Sequence, residues 1–250
     1  MSERIELFDA QAGFGGGRPG DPWVPSVEEW LEHMERLAIG RALVRTDFEE
    51  MDTNPFYSNR LLYEACARHK GLVPCPVVLP RGPGDAPPEE EQIGELLACG
   101  SSAVTVRPGV DGWSTAPWCA GTLFGLLEER RIPVLWRAAL GFDPLADLAA
   151  RYPRLPFVVF HVSYRARLIF SLLKAFPNVY VSVGSPFSAH QGLEMLTAAV
   201  GAERLLFGTG FPYAEPTCGI TILTYGGLSE AQKRLIGAGN LDKLIGEIER

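Results

Sequence analysis

The sequence predicts an α/β fold, a single (β/α)8 TIM barrel, on three observations. Eight short apolar or β-branched runs recur along the chain, each followed by a longer segment whose apolar residues are spaced for a helix. The chain has 250 residues, the usual length of eight such units closed into one barrel. Hydrophobic residues make up 46% of it, enough for one sizeable core, and no composition shift divides it, so residues 1–250 read as one domain.

Taken in order, the runs are Ile5–Asp9, Ala42–Asp47, Leu72–Leu79, Ala103–Arg107, Pro133–Arg137, Phe157–His161, Val179–Val183 and Arg204–Thr209. After the first run, Ser26–Ala38 opens on a capping box, with Glu29 three residues beyond Ser26. The next helical stretches are Ser58–His69, Glu89–Cys99, Ala120–Arg130, Pro144–Tyr152, Ala166–Phe176 and Gln191–Val200. Ser229–Glu249 reads as closing helices broken at Gly237 and Gly239. Alternating strands and helices give parallel pairing, and eight such units suit a barrel better than a doubly wound sheet.

Composition excludes several classes. With 21% charged and 10% aromatic residues the chain is neither disordered nor collagen-like. The 23 Lys and Arg against 30 Asp and Glu give a net charge of −7, with no basic block, so nucleic acid is not an expected partner. No apolar stretch approaches the roughly 20 residues of a membrane span, and none is expected to enter a membrane. Glu3, Arg4, Glu6 and Asp9 interrupt the first apolar residues, so no secretion signal is expected. The five cysteines (Cys66, Cys75, Cys99, Cys119, Cys218) form no C-x-x-C pair and read as reduced thiols of a cytoplasmic protein.

In such a barrel the functional groups stand at the C-terminal strand ends. Reading alternate residues inward gives Asp9, Gln11 and Gly13 from the first strand, Arg45 and Asp47 from the second and Arg107 from the fourth. Trp136 follows on the fifth, His161 on the sixth, Ser182 on the seventh and Gly210 after the eighth. Tyr213, Trp113 and Trp118 are loop aromatics able to wall a pocket.

These strand ends resemble the amidohydrolase superfamily, in its branch of metal-dependent TIM-barrel hydrolases and decarboxylases. The resemblance rests on Arg151-Tyr152-Pro153 through Phe160-His161 and on Arg204-Leu205-Leu206-Phe207-Gly208-Thr209-Gly210-Phe211-Pro212. Gly100 to Pro108 and Gly239-Asn240 add to it. It implies a divalent metal held by a D-x-H-x-H motif on the first strand, a His ending the fifth and an Asp ending the eighth. Here Gln11, Gly13, Trp136 and Gly210 stand at those positions, while Asp9 and His161 match. Gly and an indole offer a metal no lone pair, so no metal and no other cofactor is expected. Zinc lowers the pKa of bound water from about 15.7 to about 7, roughly 12 kcal/mol of help, whereas a general base contributes roughly 3 to 5 kcal/mol.

Two readings stay open for each candidate. His161 is either a buried imidazole bonded to Asp9 or a backbone carbonyl, or a ligand contact and general base. Arg45 and Arg107 either pair internally with Asp9 and Asp47 or grip a carboxylate or phosphate in bidentate fashion. Trp136 either fills the volume of a lost metal site or stacks on a ligand. His190 reads as a surface-loop residue, and His33 and His69 as solvated helix residues. A metal site rebuilt from His161, His190, Cys218 and Asp47 or Asp143 has the right ligand types but no spacing signal. The Gly13–Gly20 stretch lacks a phosphate-loop pattern and reads as a flexible loop over the mouth. The expected function is therefore a barrel without the family's metal that binds a small anionic molecule or is non-catalytic. The alternative is a hydrolase or decarboxylase of small carboxylated substrates with His161 as base. The resemblance also implies a homodimer.

Overall fold

The computed structural model describes residues 5–15, 25–46, 54–163, 168–187 and 189–250. β1 (Phe8–Phe14) leads to α1 (Val27–Leu37), β2 (Arg41–Thr46) to α2 (Pro55–Arg68), β3 (Leu72–Pro74) to α3 (Glu89–Ala98), and β4 (Val104–Thr105) to α4 (Pro117–Glu129). β5 (Val134–Arg137) leads to α5 (Asp143–Arg151), β6 (Phe157–Phe160) to α6 (Leu168–Ala175), β7 (Val179–Val183) to α7 (Gly192–Val200), and β8 (Leu205–Phe207) to α8 (Pro216–Tyr225). α9 (Glu230–Arg234), a π-helical turn (Leu235–Gly239) and α10 (Asn240–Gly246) follow.

β1 to β3 pair in parallel, as do β4 to β8, and two seams join the sets into a (β/α)8 barrel. Between β3 and β4, Val77 bridges Thr105, whose amide donates to the Pro76 carbonyl at 2.8 Å. Between β8 and β1, the Gly210 amide donates to the Gln11 carbonyl at 3.2 Å. The Asp9 carboxylate reinforces this second seam, accepting from the Thr209 amide at 3.0 Å and its hydroxyl at 2.5 Å.

Both faces of the strands are buried, so successive residues feed two cores. Leu43, Leu135, Val158 and Leu206 meet inside the barrel, plugged at its N-terminal end by Phe8 of β1 with Leu241 and Leu244 of α10. The alternate residues Val44, Val134, Val159 and Leu205 face the helices. Each such Leu, Val or Phe contributes about 1.5–3 kcal/mol when fully buried.

The order of strands and helices is as expected, and the boundaries differ for identifiable reasons. α2 and α4 begin three residues early because Pro55 and Pro117 take the first turn, where proline's missing amide costs nothing. α8, absent from the sequence expectation, opens the same way at Pro216, with the Glu215 carboxylate accepting from the Thr217 amide. β1 runs on to Phe14 because it pairs with β2 as far as Thr46, through a bulge between Asp9 and Ala12. The expected break at Gly237 is a π-helical turn: a Cβ there would come within 2.6 Å of the Glu6 carbonyl, so only glycine permits the approach. The capping box at Ser26 and Glu29 is present. Among the described residues no helix is long and apolar enough to cross a membrane.

Candidate functional site at the barrel mouth

The bulge in β1 sets up the first part of the site. Phe8 and Ala10 both face the interior core, yet Gln11 also enters the barrel, because its Oε1 accepts from the Ser182 hydroxyl at 2.9 Å. Ser182 lies on β7, which is not a neighbour of β1, so this bond passes inside the barrel over Gly208 of the intervening chain. Gly208 has to be glycine here: a Cβ would come within 2.1 Å of Ser182 Oγ and 2.9 Å of Gln11 Cβ. Gln11 is buried, and its Nε2 has no hydrogen-bond partner among the described residues.

Asp9 spends its carboxylate on the β1–β8 seam and on the Gln11 amide at 2.8 Å, rather than facing a ligand. Burial pushes its carboxyl up to about 6, against the pull of the Thr209 hydroxyl, the Thr209 and Gln11 amides and Arg45.

Across the barrel stand the cationic groups. Arg45, at the end of β2, is only 2% exposed and lies with its guanidinium 4.3 Å over the ring of Phe160 on β6. His161 follows Phe160 in a left-handed conformation, φ 55°, which a non-glycine residue adopts at a cost of about 1–3 kcal/mol. Its ring meets Phe160 at 4.9 Å and, edge-on, Tyr213 at 5.4 Å. Arg137, the last residue of β5, lies 5.6 Å over Tyr213. Burial first, then Arg45 and Arg137, hold the His161 imidazolium pKa down to about 3, so the ring is neutral at ordinary pH. Its Nε2 is buried without a hydrogen-bond partner among the described residues.

Three sequence expectations need correction. Trp136 does not face the mouth: it is 0% exposed, packs between barrel and helices, and donates from Nε1 to the Gly141 carbonyl at 2.9 Å. Leu135 and Arg137 take the inward positions of β5, so the reading was one residue out of register, which exchanges the two faces of a strand. Arg107 is not among the partners of the Asp9 carboxylate. It makes a bidentate fork to Asp111 one turn on, Nε to Oδ2 at 3.1 Å and Nη2 to Oδ1 at 2.7 Å, with both side chains buried. Burial raises the Asp111 carboxyl even beside Arg107. His161 is not bonded to Asp9, whose oxygens are taken. Asp47 lies outside the described residues, as does the loop beyond Gly15 as far as residue 24.

Of the remaining candidates, Tyr213 alone is shown against this group. Tyr213 is 51% exposed above His161, and His190 is exposed beyond β7. Cys218 is exposed on α8 and Asp143 begins α5. Among the described residues no three His, Cys, Asp or Glu side chains come together as a metal would need. His33 is not simply solvated: it receives Arg36 at 2.6 Å and packs 5.1 Å from Phe211. It lines a cleft of about 430 Å³ outside the barrel with Glu29, Glu32 and Arg36. The residues sequence reasoning missed are Arg137 and Asp111. Nothing in the β5 run marked Arg137, whereas Asp111 was legible from its position four residues after Arg107.

Comparison with known proteins places this geometry. No curated protein matches the chain. The fold matches 5-carboxyvanillate decarboxylase from Sphingomonas paucimobilis at a TM-score of 0.76, with 12% identity over 98% of this chain and 100% of that one. It matches 2,6-dihydroxybenzoate decarboxylase from Rhizobium at 0.74, with 16% identity over 97% and 99%. A putative 2-pyrone-4,6-dicarboxylic acid hydrolase from Pseudomonas putida matches at 0.71, with 16% identity over 99% and 100%. At such identities these likenesses speak for the barrel alone. The amidohydrolase family profile matches residues 23–246, nearly the whole chain, and the protein therefore belongs to the amidohydrolase family.

Proposed function

We propose that the barrel mouth binds a small anionic molecule, most simply a carboxylate, in place of the divalent metal the family resemblance implies. The observation that carries this reading is the convergence of Arg45 and Arg137 on His161. The four positions that the family resemblance gives to metal ligands hold Gln11, Gly13, Trp136 and Gly210, and β5 ends one residue beyond Trp136, at Arg137. A guanidinium has no lone pair for a cation and repels one, the two glycines offer no side-chain donor, and the Gln11 oxygen is engaged by Ser182. That set does not fit a divalent ion. Its charge suits an anion, since buried anions are held best by charged donors such as guanidiniums.

The named structural neighbours act on carboxylated molecules, which agrees with this reading. Arg45, Arg137 and Gln11 would hold the ligand and Tyr213 would flank it. Arg107 is spent on Asp111. A catalytic version of the same site, a decarboxylase or hydrolase, keeps His161 as base. Its neutral ring is in the form that accepts a proton, although a group with a pKa near 3 is a weak base. A bound anion would offset Arg45 and Arg137 and so strengthen it.

Isothermal titration with sodium benzoate and with inorganic phosphate tests the reading. The expected result is saturable binding of at least one of them, weakened about 30-fold or more in Arg45→Met and Arg137→Met. No binding of either anion, or equal affinity in the variants, would refute it. For the catalytic version, His161→Asn should abolish turnover of a carboxylated substrate in a folded protein.

A further inference from the structure

Gln11 occupies a position where the family resemblance implies a metal-ligating imidazole, and its chemistry there is the reverse of a ligand's. A carboxamide offers one acceptor oxygen and an NH2 with two donors. The oxygen is used: the Ser182 hydroxyl donates to Oε1 at 2.9 Å. With Oε1 accepting from Ser182, the NH2 is the end of the carboxamide left for a ligand. Nε2 is buried and bonds to no group of the described residues, although burying an amide donor with nothing to receive it costs about 1–3 kcal/mol. Such orphaned donors are rare in folded proteins and call for an explanation.

The arrangement is also built rather than left over. Gly208 supplies the space in which Gln11 and Ser182 meet, since a Cβ there would fall 2.1 Å from Ser182 Oγ. The Gln11 backbone is held on both sides, its amide by Asp9 Oδ1 at 2.8 Å and its carbonyl by the Gly210 amide at 3.2 Å. A side chain anchored so closely at backbone and carbonyl oxygen has little freedom to turn its NH2 elsewhere.

We propose that Gln11 Nε2 is a ligand donor of the mouth, delivering N–H to an anionic oxygen, and that Ser182 is the positioning residue that holds the carboxamide in that orientation. This rests on the anion-binding reading above and sharpens it. The site becomes one lined by donors, from Arg45, Arg137 and Gln11, and its ligand class narrows to molecules presenting more than one acceptor oxygen to them, as a carboxylate or phosphate does. An N–H donated to a charged oxygen is worth more than one donated to a neutral group, so Gln11 favours the ionised ligand over its protonated acid.

The test is a titration of 15N-labelled protein with sodium benzoate, and separately with inorganic phosphate, followed through the side-chain amide resonances. The Gln11 pair is assigned by its loss in Gln11→Leu. The expected result is that this pair moves downfield to saturation with one of the two anions, in step with the binding isotherm. Gln11→Leu should bind that anion about 10- to 100-fold more weakly. Ser182→Ala should bring the Gln11 pair to the shifts of a solvated glutamine before any anion is added, and weaken binding about three- to tenfold. A merely structural role for Ser182 would leave the pair where it is. If the anion binds and Arg137→Met abolishes binding, but the Gln11 pair stays still and Gln11→Leu binds within twofold of the parent, the donor role is wrong while the anion site stands. If neither anion binds, or the arginine variants bind equally, the site reading itself fails and this inference with it.

Discussion

At the end of the barrel where the strands begin, two buried asparagines each find several partners in the protein. Asn240 donates to the carbonyls of Ala202 and Leu205 at 2.7 and 2.8 Å, and Asn178 donates to those of Ala149, Tyr152 and Leu155. Arg41 forks onto Asp242 and also reaches Glu6. At the end where the strands finish, Gln11 Nε2 and His161 Nε2 are buried with no such partner, and His161 carries a left-handed backbone. The difference teaches where the molecule keeps its reserve of unspent interaction. One end closes the fold with α10 as its plug, while at the other Gln11 Nε2 and His161 Nε2 have no hydrogen-bond partner among the described residues.

The β1–β8 seam lies between these ends and gives the largest expected effect on stability. Asp9 titrates near 6 in the folded protein against an ordinary value near 3.8, so its raised value favours folding fully below about pH 4. That contribution is lost as pH rises through about 6. The shift of roughly two units corresponds to about 3 kcal/mol. Denaturant unfolding of the parent and of Asp9→Asn at pH 4 and pH 7 should show the parent losing about 3 kcal/mol relative to the variant over that range. A difference that does not change with pH would remove Asp9 from this role.

A smaller effect sharpens the contrast of the two ends. Asn240→Ala removes two buried hydrogen bonds at the plugged end and should cost about 2 kcal/mol in denaturant unfolding. It should leave benzoate or phosphate affinity within about twofold. Loss of binding in that variant would show that the ends are not independent.

How far the sequence foretold these two ends follows from the physics of each. The strand order was legible because parallel strands buried on both faces are written as apolar runs, and the Gly239-Asn240 pair marked the residue that pins α10 to β8. The same property hid the register of β5. In Val134-Leu135-Trp136-Arg137 both faces are apolar until the last residue, so nothing in the run itself says that Trp136 turns to the helices and Arg137 to the mouth. The β1 bulge was hidden for a similar reason, since Asp9-Ala10-Gln11-Ala12 alternates cleanly as text yet turns both Ala10 and Gln11 inward. The helix starts were missed where proline opened them, at Pro55, Pro117 and Pro216, because apolar spacing begins only after the first turn. The pairing of Arg107 was misread because its partner is local, Asp111 in the turn just beyond β4, rather than across the barrel.

The central claim is that the mouth is organised around donors and guanidiniums rather than around a cation. Its most direct test is elemental analysis of protein purified without chelator, then equilibrated with zinc or manganese and desalted. The account predicts well under one ion per chain, with the folded state indifferent to chelator. One tightly held ion per chain, lost on substitution of Gln11 or His161, would contradict it and return a metal to the strand ends.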